Sequence, residues 1–242
     1  MLWVMYRARI VVIVALAGCG RFGFDGDGDA EDAPATSCPP FASVCDDFES
    51  GALASWWRPY KDVSSTLQVQ PAVGRDATFA LDARQAMQSG TGGATMAVHD
   101  QPMQTSGTLS VRAWLYAPTA LTNFEGALML LDTDAVNQYA EVVCSDANDF
   151  TIAEGSPGGG SASHHSGVTC AGATWQCVEL VYELSPMPRL QLYVDDVMVL
   201  DRPTADPAPS FGEIGVGVSR GNTDPVRVIA DDVIIADRRI GC

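Results

Sequence analysis

The chain has 242 residues, with 30 acidic side chains against 14 basic ones and a net charge of −16. So acidic a protein does not track nucleic-acid phosphates or an anionic lipid surface by charge, which excludes nucleic acid as a partner. The length suits one β domain with a core of its own.

The chain opens MLWVMYRARIVVIVALAGCG, a short basic region at Arg7 and Arg9 followed by an apolar run from Ile10 to Ala17. The run is too short to span a bilayer, which needs about 20 residues, so it reads as an export signal. The order Leu16, Ala17, Gly18, Cys19 resembles the bacterial lipoprotein signal. That resemblance implies a signal peptide over residues 1–18, a lipid on Cys19 and attachment to a membrane through that anchor. Gly20 stands where an aspartate retains such proteins at the inner membrane in some bacteria. The implied address is the cell envelope, as an outer-membrane lipoprotein that is periplasmic or surface-exposed. Cleavage would leave 242 − 18 = 224 residues and, with two arginines lost, a net charge of −18.

Residues 19–40 are rich in Gly, Asp, Ala and Pro without apolar periodicity, and read as a solvated acidic tether. Asp25, Asp27 and Asp29 begin like a calcium loop, but Ala30 and Thr36 stand where that loop needs Gly and Glu.

From Phe41 to Cys242 short alternating segments are broken by turn residues every eight to twelve positions or so, the spacing of an all-β sandwich. Strands are predicted at Cys45–Glu49, Thr66–Val73, Thr78–Ala86, Thr95–His99, Gly107–Ala117, Gly126–Asp132, Gln138–Cys144 and Phe150–Ala153, with a single helical turn at Ala52–Trp57. The C-terminal third, Trp175 to Cys242, reads as a run of antiparallel strands needing an opposing sheet from upstream. Within it Leu190, Leu192 and Val194 alternate with polar neighbours, and Asp195–Asp196 predicts a hairpin turn before Met198 and Leu200. Ile214, Val216 and Val218 repeat the two-residue period, as do Val226, Val228 and Ala230. The predicted fold is all-β, a two-sheet antiparallel jelly-roll sandwich.

Apart from Cys19, the cysteines are Cys38, Cys45, Cys144, Cys170, Cys177 and Cys242, an even set that points to disulfides in an oxidising compartment. Six allow 15 pairings; the preferred one joins Cys242 to Cys45 or Cys38, because the ends of such sandwiches lie side by side. Without a Cys-x-x-Cys pair or paired histidines nearby, a structural zinc site is not expected.

DDFESG, GTLSVRAWLYAP, WQCVELVY with LQLYVDDVMVLD, and ADDVIIADRRIGC together resemble the concanavalin A-like lectin and glucanase superfamily, most closely its LamG-like branch. Trp175 and the Val194-Asp195-Asp196 turn match that branch's Trp-led strand and hairpin, with Asp196 in place of the usual turn glycine. The resemblance implies a concave and a convex sheet, with sugars or protein partners taken on the concave face or its rim. It also allows calcium, without assigning ligands; no other cofactor and no metal-ligating residues are expected.

Catalytic patterns are absent from the sequence. No strand carries the Glu-x-Asp-x-Glu triplet of the superfamily's glycosidases. Glu179 and Glu183 share a face but have Val181 between them and read as solvent-facing acids. His99 is expected at a turn, and His164 and His165 in a Gly/Ser-rich loop, outside the strand patterns of alginate lyases. No nucleophile elbow is present.

The candidate ligand face is in GTLSVRAWLYAP. Leu109, Val111, Ala113, Leu115 and Ala117 should enter the core, leaving Arg112, Trp114 and Tyr116 with Ser110 on the other face, where rings stack on a sugar and a guanidinium bonds its oxygens. The alternative places both rings under a loop and pairs Arg112 with an acid such as Glu141. Gly215 and Gly217 either make room for a ligand or admit a close backbone. Trp56, Trp57 and Tyr60 read as core closure. The expected role is a non-catalytic module binding a glycan or envelope polysaccharide. The alternatives are a glycoside hydrolase or polysaccharide lyase with an unrecognised site, or a structural or adhesive domain with a protein partner.

Overall fold

The computed structural model describes residues 38–86, 94–121, 125–131, 138–155, 160–204, 209–219 and 225–242. The leader, Cys19 and the tether up to residue 37 lie outside them.

The described residues form strands β1 (Ala42–Asp46), β2 (Trp57–Lys61), β3 (Thr66–Gln70), β4 (Ala80–Gln85), β5 (Thr95–Gln104), β6 (Thr108–Tyr116), β7 (Glu125–Leu131) and β8 (Tyr139–Cys144). They continue with β9 (Asp149–Gly155), β10 (Ser161–Thr169), β11 (Trp175–Glu183), β12 (Arg189–Val194), β13 (Val197–Pro203), β14 (Phe211–Val218) and β15 (Val226–Ala236). One antiparallel sheet runs β13-β12-β11-β6-β15-β4-β3, with β1 also on β15; the other runs β10-β9-β8-β7-β14-β5-β2. The C-terminal strands therefore do not stay together. β11, β12, β13 and β15 join the eight-stranded sheet, whereas β14 crosses to lie between β7 and β5. Period-two alternation shows that a strand has one face to bury but not which sheet receives it.

The core is the seam between the sheets. Leu128, Leu130, Val142, Ile152, Ile214 and Val216 of the seven-stranded sheet meet Leu81, Val111, Leu180, Leu192 and Val228 of the eight-stranded one, all at most 1% exposed. The expected inward set of β6 is buried there: Leu109, Val111, Ala113 and Leu115, followed by Ala117. The Asp195–Asp196 hairpin is present, with both residues at positive φ (50° and 66°) as a type I′ turn requires. Aspartate suits this turn because its side chains are used. Asp195 Oδ1 accepts from Cys177 N at 2.9 Å, and Asp196 Oδ1 from Cys242 N at 3.0 Å.

Three predicted segments change character. Ala52–Trp57 is not helical: Trp57 N donates to Ala54 O, and the chain turns into β2. His99 lies inside β5, which runs on to Gln104 because Pro102 falls where the register with β14 shifts and no ladder donor is required. From Ser161 on, the Gly/Ser-rich stretch with His164 and His165 is the edge strand β10, paired to β9 at Ser161–His165 and again at Thr169. Its small polar side chains hide a strand that backbone pairing sustains.

The six cysteines pair as Cys38–Cys45, Cys144–Cys170 and Cys177–Cys242. Cys242 thus ties to β11 rather than to the first strand. After β15 the chain leaves its β1 neighbour and crosses the outside of the eight-stranded sheet, which brings Cys242 over Cys177.

Candidate functional site

The outward face of β6 carries Ser110, Arg112, Trp114 and Tyr116, as the alternation requires, but the C-terminal tail and the 73–79 loop lie across it. Arg112 is only 6% exposed; it donates to Asp232 O at 3.1 Å and Gly241 O at 3.3 Å. Burial holds its affinity for a proton below the ordinary arginine value, against the pull of Asp232 and Glu179. Glu141 is not its partner, since that residue is buried on β8 of the opposite sheet. Trp114 is half-buried beneath the Arg75 guanidinium, 4.4 Å from the ring centre, and Tyr116 tilts against Trp175 at 5.4 Å. The structure keeps the three residues together but turns Arg112 to structural bonds.

Glu179 is not solvent-facing. It is fully buried beside Arg112, accepting from Ser110 Oγ at 2.6 Å, Ile240 N at 2.6 Å and Gly241 N at 3.0 Å. Glu183, at the end of β11, is partly exposed.

The 73–79 loop is held by Asp231, at the bulge where β15 leaves β4 and takes up β1. Its carboxylate accepts from Arg75 N and Asp232 N, both at 2.9 Å. Burial nevertheless raises its pKa to about 6, with Asp232 and Glu49 adding to the rise. The unfolded chain releases this proton near the ordinary value of 3.8, so the folded state binds the extra proton between about pH 4 and 6. Stability should therefore fall as pH rises through that window, by roughly 2–3 kcal/mol from this group. Urea unfolding at pH 4 and pH 6.5 measures it, and Asp231→Asn should flatten the decline; an unchanged slope in the variant would assign it elsewhere.

Exposed rings stand at Tyr60 on β2 and at Trp56 just before it. Trp57 enters the core at 4% exposure, donates from Nε1 to Asp46 Oδ2 at 2.8 Å and meets the His99 ring edge-on. Trp56 and Tyr60 instead are 49% and 54% exposed, so only one of the three aromatics closes the core. Between them Arg58 projects from the outer face of the seven-stranded sheet, opposite Val98 in the ladder, while Tyr60 stands opposite Met96 on the same face. Arg58 Nη2 lies 3.0 Å from Asp100 Oδ1 and 2.8 Å from Glu213 Oε1, and Nε lies 3.3 Å from Asp100 Oδ2. The Asp100 hydrogen bond pushes the Arg58 pKa up and, reciprocally, pulls that of Asp100 down. Two exposed rings, Trp56 and Tyr60, thus stand two residues to either side in sequence of a guanidinium held by the exposed Asp100 and the partly exposed Glu213. Edge strand β2 and the residue before it carry a combination of rings and guanidinium, as β6 does.

At the other edge of this sheet His165 Nδ1 lies 3.1 Å from both Asp149 Oδ1 and Thr151 Oγ1, and Asp149 also accepts from Gly167 N and bonds Ser145 Oγ. Burial alone would raise Asp149; these hydrogen bonds outweigh it and hold its pKa at about 2. His164 projects to the opposite face, with Nε2 3.1 Å from Glu154 Oε2, and Tyr182 donates to the other oxygen of Glu154. The histidines therefore serve separate carboxylates. Among the described residues no group of three or more His, Cys, Asp or Glu side chains is arranged to hold a metal ion.

Gly217 admits a close backbone rather than a ligand. At φ +137°, a Cβ there would sit 2.4 Å from Thr95 O and 3.2 Å from Ala83 Cβ.

No protein-family model matches the sequence, and no curated protein is similar to it. Among solved structures the chain is similar to the cellulose-induced protein Cip1 (TM-score 0.66, 18% identity, 82% of this chain and 99% of that one). It is similar also to an endo-β-1,4-glucuronan lyase from the fungus Trichoderma reesei (0.61, 14%, 81% and 95%). A third is the alginate lyase Aly36B (0.55, 11%, 82% and 98%). At these identities the likeness is one of fold, and the chain is an all-β, two-sheet jelly-roll sandwich of the concanavalin A-like kind.

Proposed function

We propose that the protein is a non-catalytic glycan-binding module whose binding surface is the β2 edge of the seven-stranded sheet, around Trp56, Arg58 and Tyr60. The observation that carries this reading is the pair of half-exposed rings, two residues before and two after a guanidinium already oriented by Asp100 and Glu213. A sugar stacks its CH face on an exposed ring while its hydroxyls donate to the acids and accept from the arginine. Sandwiches of this fold that act on glucuronan and alginate support a polysaccharide as partner. The leader reading adds a lipid on Cys19 and a place in the cell envelope; metabolic labelling with a fatty acid, lost in Cys19→Ser, tests that part.

The enzyme reading draws on His165, half-exposed and backed by Asp149. Abstracting a proton beside a sugar carboxylate needs a base and a neutralising cation together. Arg58 and His165 lie on the two edge strands of a seven-stranded sheet, six spacings of about 4.8 Å or roughly 29 Å apart along it. They cannot share one sugar ring.

A glycan array probed with the full-length protein, with and without calcium, tests the proposal. Saturable binding should fall at least tenfold in Trp56→Ala and Tyr60→Ala, each with unchanged circular dichroism, and persist in Trp114→Ala. Loss in Trp114→Ala alone would move the site to the β6 face. Absence of binding to every glycan would favour a protein partner.

A further inference from the structure

Resting on the glycan-binding reading, the charge arrangement around Arg58 goes further and selects among glycans. Arg58 is engaged by two carboxylates through three hydrogen bonds. Arg58, Asp100 and Glu213 together carry one net negative charge. On β2 the other cation, Lys61, alternates to the opposite side of the strand, opposite Thr95, and is followed by Asp62. The whole chain carries −16, so the long-range field is repulsive to anions as well.

We propose that this site takes uncharged polysaccharide chains and rejects polyuronates, although two of the similar folds belong to lyases that act on polyuronates. A uronate approaching Arg58 meets a guanidinium whose Nε and Nη2 donors are already engaged, with two carboxylates beside it. To bind bidentately it must displace Asp100 or Glu213 and leave that acid next to a second anion. A neutral sugar has no such conflict. Its hydroxyls donate to the carboxylate oxygens of Glu213 and Asp100, while the rings of Trp56 and Tyr60 supply stacking that no ionic contact is needed to reinforce.

Affinity gel electrophoresis of the full-length protein measures this, with hydroxyethylcellulose, galactomannan and xylan as neutral chains against alginate and polyglucuronate. At least one neutral chain should retard the protein with an affinity tenfold or more above either polyuronate. That binding should change less than twofold between 20 and 500 mM NaCl, because no ion pair forms. In Asp100→Asn/Glu213→Gln the guanidinium is released, and polyuronate affinity should rise at least tenfold. Glu213→Gln alone gives a smaller rise and guards against a folding defect in the double variant. Polyuronate binding by the unmodified protein equal to or tighter than neutral binding, and weakened by salt, would overturn the inference and leave the glycan reading standing. Binding to neither class would overturn both.

Discussion

Replacing Glu179 with alanine is expected to lower the unfolding free energy by about 3–5 kcal/mol, the range for breaking a buried charged network by removing one partner. The carboxylate is fully buried and satisfies the Ser110 hydroxyl and the backbone N–H groups of Ile240 and Gly241. It also offsets two cations. Arg239 Nε lies 3.9 Å away, and Arg112 is drawn toward its charged form by Asp232 and Glu179. Arg112 already has a buried Nε with no hydrogen-bond partner, so it has little left to compensate with. Glu179→Gln keeps one acceptor and loses the charge, and should cost about half as much. Urea unfolding gives both numbers; a loss below about 1 kcal/mol in the alanine variant would show that the tail is not held by this residue.

The same residue shows where the sequence can be read and where it cannot. Alternation places Glu179, Arg112 and Trp114 on the face of the eight-stranded sheet away from the core, which is where they are. In sequence alone an outward face reads as a solvent face for Glu179 and a ligand face for Arg112. What covers that face arrives from elsewhere in the chain, as the tail at Ile240–Gly241 and the loop at Arg75. No local pattern in β6 or β11 encodes a cover supplied from so far along the chain.

The converse happened at β2. Trp56, Arg58 and Tyr60 alternate as an exposed face does, but Trp57 between them is apolar as well, so three aromatics in five residues read as one core cluster. Pro59 also masked the strand; it is tolerated because β2 is the edge of its sheet. The Asp195–Asp196 turn was legible because its backbone demand is local and aspartate accepts positive φ. β10 was not, because its Gly and Ser residues carry no hydrophobic period, and its anchors, Glu154 and Asp149, come from the neighbouring strand.

Removing the Cys177–Cys242 disulfide by double serine substitution is expected to cost about 4 kcal/mol, from the loop of 65 residues that it closes in the unfolded chain. The Cys144–Cys170 bridge spans 26 residues, and its removal should cost about 1 kcal/mol less on the same logarithmic dependence. That ordering separates two ways in which the C-terminal bridge can act. If it stabilises by restricting the unfolded chain, the tail stays in place without it, because Glu179 and Asp196 still accept from Ile240, Gly241 and Cys242. The amides of Ile240 and Gly241 should then remain protected from hydrogen exchange in the Cys177→Ser/Cys242→Ser variant. If instead the bridge is what presses the tail onto the sheet, those amides exchange early and Arg112 becomes accessible. The tail should stay protected, since a buried carboxylate accepting two backbone N–H groups is a strong local clamp. Adding Glu179→Ala to the serine pair should then release it, and the combined loss should differ from the sum by at least about 1 kcal/mol because both act on one segment.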